Sequence, residues 1–173
     1  MIFRKAEERD LSAVSAIYED IHTLEERGET TIGWIRGVYP TLDTARAALK
    51  RGDLFVQEEE GGVVGAAVIN QLQVDVYEGA GWKHPASDDQ VMVLHTLVIS
   101  PQAARKGYGS RFVDFYEQYA RKKGCSCLRM DTNARNLRAR ALYRKLGYEE
   151  IGVVPCVFNG MEGVQLVLLE KEC

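Results

Sequence analysis

A chain of 173 residues is enough for one domain with one apolar core and too short for two comfortable ones. Hydrophobic and charged fractions of 46% and 27% are ordinary for a globular protein in water, and no apolar run nears the roughly 20 residues that a membrane helix needs. A formal net charge of −3 argues against general nucleic-acid binding.

The opening residues Met1 to Glu8 lack the basic-then-apolar order of a signal peptide, so the cytoplasm is the expected location. Ile2 to Lys5 reads as a short edge strand. Asp10 or Ser12 caps an amphipathic helix with the apolar stripe Leu11, Val14, Ile17, Tyr18, Ile21 and Leu24, which Gly28 ends. A loop from Thr30 to Pro40 carries Trp34 and Tyr39. A second helix spans Leu42 to Lys50 and closes at Gly52. Leu54 to Gln57 and Val63 to Asn70 form a hairpin around Gly61-Gly62.

After a polar loop, Glu78 to Gln90, the run Val91 to Ile99 is so apolar and β-branched that it reads as a buried central strand. Ser100-Pro101 stops it. The next helix carries Phe112, Val113, Tyr116, Tyr119 and Ala120 on one face and ends at Gly124. A strand over Ser126 to Met130, a helix over Asn136 to Leu146 stopped by Gly147, and strands near Tyr148–Val154 and Val164–Leu169 complete a mixed α/β order.

Charge is unevenly distributed. Between Glu7 and Glu29 stand eight acids against two bases, and between Arg121 and Lys145 nine bases against Asp131 alone. Solvated helix faces account for most such runs. Cys125, Cys127, Cys156 and Cys173 have neither zinc-knuckle spacing nor a histidine to complete a ligand set, so reduced thiols and no metal are expected.

The strongest local signal is Pro101-Gln102-Ala103-Ala104-Arg105-Lys106-Gly107-Tyr108-Gly109-Ser110, which joins a buried strand directly to a helix N-terminus. Gly107 and Gly109 permit a tight turn and close ligand approach. The amides from Arg105 to Ser110 then form an anion-binding nest at the positive end of the helix dipole. A P-loop needs G-x-x-x-x-G-K-[ST], which is absent, and a dinucleotide fingerprint needs glycine where Phe112 stands.

Downstream, Asn136, Ala139 and Tyr143 share one short helix, followed by Gly147 and Tyr148. The two segments together resemble the GNAT superfamily of N-acetyltransferases, whose pattern is R/Q-x-x-G-x-G/A after the central strand and then N-x-x-A-x-x-x-Y-x-x-x-G-F/Y. The resemblance runs from about Val91 to Gly152. It departs from the pattern once: Ala104 stands at the Arg/Gln position, removing a side-chain contact but no backbone amide, and Arg105 or Lys106 is placed to compensate.

The resemblance implies a GNAT-like fold over residues 1–173, with a central mixed, mostly antiparallel sheet and helices on both faces. It also implies acetyl-CoA as co-substrate and direct transfer to an amine through a ternary complex. Backbone groups of Leu97, Val98 and Ile99 would hold the pantetheine, and Arg105, Lys106, Gly107, Tyr108, Gly109 and Ser110 the phosphates. Tyr143 would protonate the departing thiolate, or else packs its ring in the helix–sheet interface. Asn136 either orders the site and contacts the coenzyme or simply caps its helix. As general base the first candidate is His95, which alternates with Val93 and Leu97 on one strand face. A core histidine is the other reading, and Glu26 acting through water is a third. Trp34 and Tyr39 line the acceptor entrance or pack on the first helices. The acceptor is a small-molecule, peptide or protein amine, and homodimers are common in the family. A coenzyme-sensing module without turnover, or an acyltransferase with another acyl group or acceptor, is the alternative.

Overall fold

Seven strands and four helices alternate along the chain in the computed structural model, which describes residues 1–173. They are β1 (Ile2–Lys5), α1 (Leu11–Glu26), α2 (Leu42–Arg51), β2 (Leu54–Glu59), β3 (Gly62–Asn70), β4 (Val91–Ile99), α3 (Tyr108–Lys122), β5 (Cys127–Asn133), α4 (Leu137–Lys145), β6 (Glu149–Phe158) and β7 (Met161–Glu172). The strands form one sheet in the order β1-β2-β3-β4-β5-β7-β6. Pairs β1–β2, β2–β3, β5–β7 and β6–β7 are antiparallel, while β4–β5 is parallel. This is the mixed, mostly antiparallel sheet with interspersed helices that the sequence implied. No helix is long and apolar enough to cross a membrane.

The chain gathers into two compact units. The first comprises residues 1–30, 34–69 and 95–115. Here Arg4 on β1 donates to both oxygens of Asp10 at 2.7 and 3.0 Å and to Glu58 on β2 at 2.8 Å, tying the edge strand to the helix entry. Asp10 also accepts the Glu7 amide at 2.8 Å, so the cap acts one turn earlier than the sequence suggested, on a 3-10 turn leading into α1. The predicted stripe of α1 is buried except for Leu24, and His22 joins it, donating from Nε2 to the Pro40 carbonyl at 2.8 Å. Gly28 terminates α1 with φ 71°. The β2–β3 hairpin turns at Glu60 (φ 50°) and Gly61 (φ 79°), a two-residue left-handed turn. It lies one position before the expected Gly61-Gly62, because Glu60 itself accepts the left-handed conformation. Phe3, Phe112 and Phe115 stack in one aromatic cluster.

The second unit comprises residues 31–33, 70–94 and 116–173. Tyr116 on α3 is fully buried and its hydroxyl lies 2.7 Å from the Met92 carbonyl and 3.2 Å from that of Arg129, bridging β4 and β5 where they pair. At the next position, buried Glu117 accepts from Lys171 Nζ at 2.8 and 3.0 Å and from the Tyr148 hydroxyl at 3.1 Å. Glu117, with no place in the predicted apolar face, is therefore buried, whereas Tyr119 is only partly so. β6 and β7 run longer than expected. β6 is the outermost strand, where the missing amide of Pro155 disrupts no inner ladder, and Pro155 still pairs opposite Gln165.

Candidate active site

In the first unit the second half of β4 carries the residues assigned to the pantetheine. β4 pairs with β5 only over Val91–Leu94, opposite Cys127–Met130. Two residues on, Thr96 takes φ 50°, a left-handed conformation that costs a branched residue energy and breaks the pleat. Its hydroxyl is hydrogen-bonded to that of Tyr39. The alternation that placed His95 with Leu97 is interrupted at this point, so spacing no longer argues for His95 as base. His95 is partly buried. Val98 is buried, and its carbonyl stands 3.0 Å from where a Cβ on Gly65 would lie, so β3 approaches β4 more closely there than most side-chain-bearing residues would fit. Ser100 amide donates to the Val64 carbonyl at 2.8 Å and fixes the end of the strand.

Of the two glycines in the loop that follows, Gly107 takes the left-handed turn, whereas Gly109 already lies inside α3 and the second left-handed residue is Arg105. A 3-10 turn over Pro101–Ala103 leads to extended Ala104, then left-handed Arg105 (φ 65°) and Gly107 (φ 75°), and α3 starts at Tyr108. Arg111 donates to the Gly107 carbonyl at 3.2 Å as the helical ladder begins, so the amides of residues 105–110 precede it, at the helix's positive end. A Cβ on Gly107 would meet nothing within 4 Å; the glycine serves the backbone angle there, not the space. Arg105 and Lys106 are exposed beside these amides.

Trp34 packs edge-on against Tyr39 with ring centroids 5.9 Å apart. Glu26 is engaged by Arg36, whose Nε donates to it at 2.9 Å; this hydrogen bond holds its carboxylate below the usual range and makes it a poorer base. In the second unit, Asn136 Oδ1 accepts the Ala139 amide at 3.2 Å, so helix capping is its observed contact. Tyr143 is buried on α4, edge-on to Tyr148 at 6.1 Å. Burial first, and then the nearby Asp131 carboxylate, raise its pKa further above neutrality.

Sequence reasoning passed over a polar row on β5. Residues 129, 131 and 133 project on one side of that strand. Arg129 is buried, donates to Gln73 Oε1 at 2.6 Å and to the His84 carbonyl at 3.2 Å, and lies over the Trp82 ring at 4.1 Å. Asp131 Oδ2 accepts the Tyr77 hydroxyl at 2.7 Å, and burial pushes its pKa up to about 6 against the lowering effect of that bond. Asn133 Oδ1 accepts the Arg135 amide at 3.0 Å, while its Nδ2 lies 2.4 Å from where a Cβ on Gly33 would stand. Opposite Arg129 on β7, buried Glu170 accepts the backbone amides of Lys83 at 2.5 Å and His84 at 3.3 Å. The loop between β3 and β4 thus reaches the sheet at several points.

Residues 14–148 match the sequence profile of the Acetyltransferase (GNAT) family. The chain belongs to that family. An N-acetyltransferase of Bacillus subtilis strain 168, YhfO, is 25% identical over 150 residues, covering 87% of this chain and 91% of its own. Among solved structures, a ribosomal-protein-alanine N-acetyltransferase from Brucella melitensis superposes with a TM-score of 0.73 at 23% identity, all of each chain being covered. YncA from Salmonella typhimurium, an acetyltransferase solved with acetyl-CoA, superposes with a TM-score of 0.70 at 17% identity over 99% of this chain and 93% of its own. The GNAT profile covers every residue of the two motifs, from Ala104 to Tyr148.

Proposed function

We propose that residues 1–173 act as one N-acetyltransferase domain that transfers acetyl from acetyl-CoA directly to a primary amine. The observation that carries this reading is the loop from Arg105 to Ser110: two left-handed residues lead into a 15-residue helix whose first amides precede its hydrogen-bond ladder, beside two exposed cations. The coenzyme supplies a thioester already activated for attack. Leu97, Val98 and Ile99 would line its arm with backbone groups, and an amide there would stabilise the oxyanion. Tyr143, a phenol protonated at neutral pH, would supply the thiolate's proton. All four cysteines are reduced, and burial raises each thiol above its ordinary range, which suits direct transfer and not an acyl-cysteine route.

The test is an acceptor screen with acetyl-CoA over amino acids, polyamines, aminoglycosides and N-terminal peptides. CoA release is followed with a thiol reagent and the product by its mass. Turnover with a gain of one acetyl group supports the reading. Saturable coenzyme binding with no release on any acceptor favours a sensing module and overturns it.

A further inference from the structure

The acceptor's ammonium needs an anionic partner, and the described second unit offers one in an unusual setting. Asp131 is the lone acid among nine bases from Arg121 to Lys145. It is partly buried on β5, and only one of its oxygens is engaged: Oδ2 takes the Tyr77 hydroxyl at 2.7 Å. Oδ1 carries no protein hydrogen bond and is not sealed from solvent. Tyr77 is itself buried and packed edge-on against Trp82 at 5.1 Å, so its hydroxyl is a fixed donor that sets the plane of the carboxylate. The titratable and charged groups around Asp131 are Tyr77 from the β3–β4 loop, Tyr143 from α4, Cys156 from β6 and Arg129 two residues before it on β5. The guanidinium of Arg129 is committed to Gln73, the His84 carbonyl and the face of Trp82, and the residue opposite Asp131 on β7 is apolar Leu168. No cation is therefore hydrogen-bonded to Asp131. A desolvated carboxylate of this kind, walled by tyrosines, selects a protonated amine.

Resting on the acetyltransferase reading above, we infer that Asp131, oriented by Tyr77, binds the ammonium of a cationic primary amine through Oδ1 and takes its proton before acyl transfer. One N–H bond of the ammonium breaks and an O–H bond forms on Asp131. The freed amine then forms its N–C bond to the acetyl carbonyl as the C–S bond breaks. The thiolate takes the Tyr143 proton, Tyr143 regains one from the acylated nitrogen, and Asp131 releases its proton to water. The balance is one ammonium and one thioester in, and one amide, one thiol and one proton out. Tyr77 is a positioning residue in this scheme.

The experiment uses the full chain and whichever amine of the acceptor screen it acetylates. Asp131→Asn keeps the shape and the Tyr77 contact; kcat/KM is expected to fall by about 100-fold or more while the acetyl-CoA dissociation constant stays within about twofold. Tyr77→Phe leaves Asp131 in place but removes the bond that favours its charged form. The acid limb of the kcat/KM profile is then expected to move to higher pH, which a merely structural loss of activity would not produce. His95→Ala should leave that limb where it is. In protein labelled with ¹³C at the aspartate carboxyls, the resonance missing from Asp131→Asn should titrate near pH 6, move up in Tyr77→Phe and shift on adding the amine. An Asp131→Asn variant with kcat/KM within about threefold of the parent, or an acid limb unmoved in Tyr77→Phe, overturns the inference while leaving the acetyltransferase intact. A parent chain that turns over no amine sinks both.

Discussion

Asp131 carries a stability penalty that can be measured without knowing the acceptor. Its folded pKa is raised from 3.8 to about 6 because burial disfavours the charge. Below about pH 3.8 the carboxyl is protonated in folded and unfolded chains alike, so nothing is lost. Between about pH 4 and 6 the unfolded chain ionises first, and folding loses free energy as pH rises. Above about pH 6 the loss is complete. A difference of roughly 2 pH units corresponds to about 3 kcal/mol, and partial exposure reduces that to the order of 1–3 kcal/mol. Asp131→Asn keeps an acceptor for the Tyr77 hydroxyl and cannot ionise. At pH 7.5 it is expected to melt higher than the parent by about 2–4 °C per kcal/mol, and at pH 4 to melt at nearly the same temperature. Differential scanning calorimetry of both chains across that range gives the answer. A Tm difference independent of pH, or a variant less stable at pH 7.5, would refute the argument that Asp131 is desolvated and raised.

Tyr143→Phe should lower kcat by about 100-fold with acetyl-CoA affinity nearly unchanged, read by steady-state kinetics and coenzyme titration; full activity would remove its acid role. Gly65→Ala would set a Cβ 3.0 Å from the Val98 carbonyl and 2.7 Å from Ile99 Cδ1. The isoleucine end can swing aside but the strand must move, at about 1–3 kcal/mol, so denaturant unfolding should show that loss together with weaker acetyl-CoA binding. Lys171→Met strips buried Glu117 of its nearest cation and should cost about 3 kcal/mol. Adding Glu117→Gln should recover much of it, and simple additivity in the double-mutant cycle would count against the pair.

The legibility of this chain follows the range of its interactions. The α1 stripe, the helix stops at Gly28 and Gly52, the turn at Gly107 and the Asn136–Tyr148 segment are set by contacts a few residues apart, and they stand in the structure as periodicity and turn chemistry imply. The left-handed residue Thr96 gave no such signal, since a branched residue in an apolar run reads as ordinary strand. The polar row on β5 was equally hidden. Tyr77 and Asp131 lie 54 positions apart, Gln73 and Arg129 56, and Lys83 and Glu170 87. In the sequence, Asp131 is one acid in a basic stretch; only the tertiary fold supplies the hydroxyl and the burial that make it distinctive.

The stretch from Gln73 to His84 is riveted to the sheet at Arg129, Asp131 and Glu170 by side chains that are mostly buried. A segment fastened in this way is a wall and not a door. Any opening or closing motion must then come from other parts of the molecule, since these contacts fix the shape of the segment. On the inference drawn above, Tyr77 and Asp131 would be both fastening and amine-binding groups, so a change of acceptor would fall on the residues between the rivets.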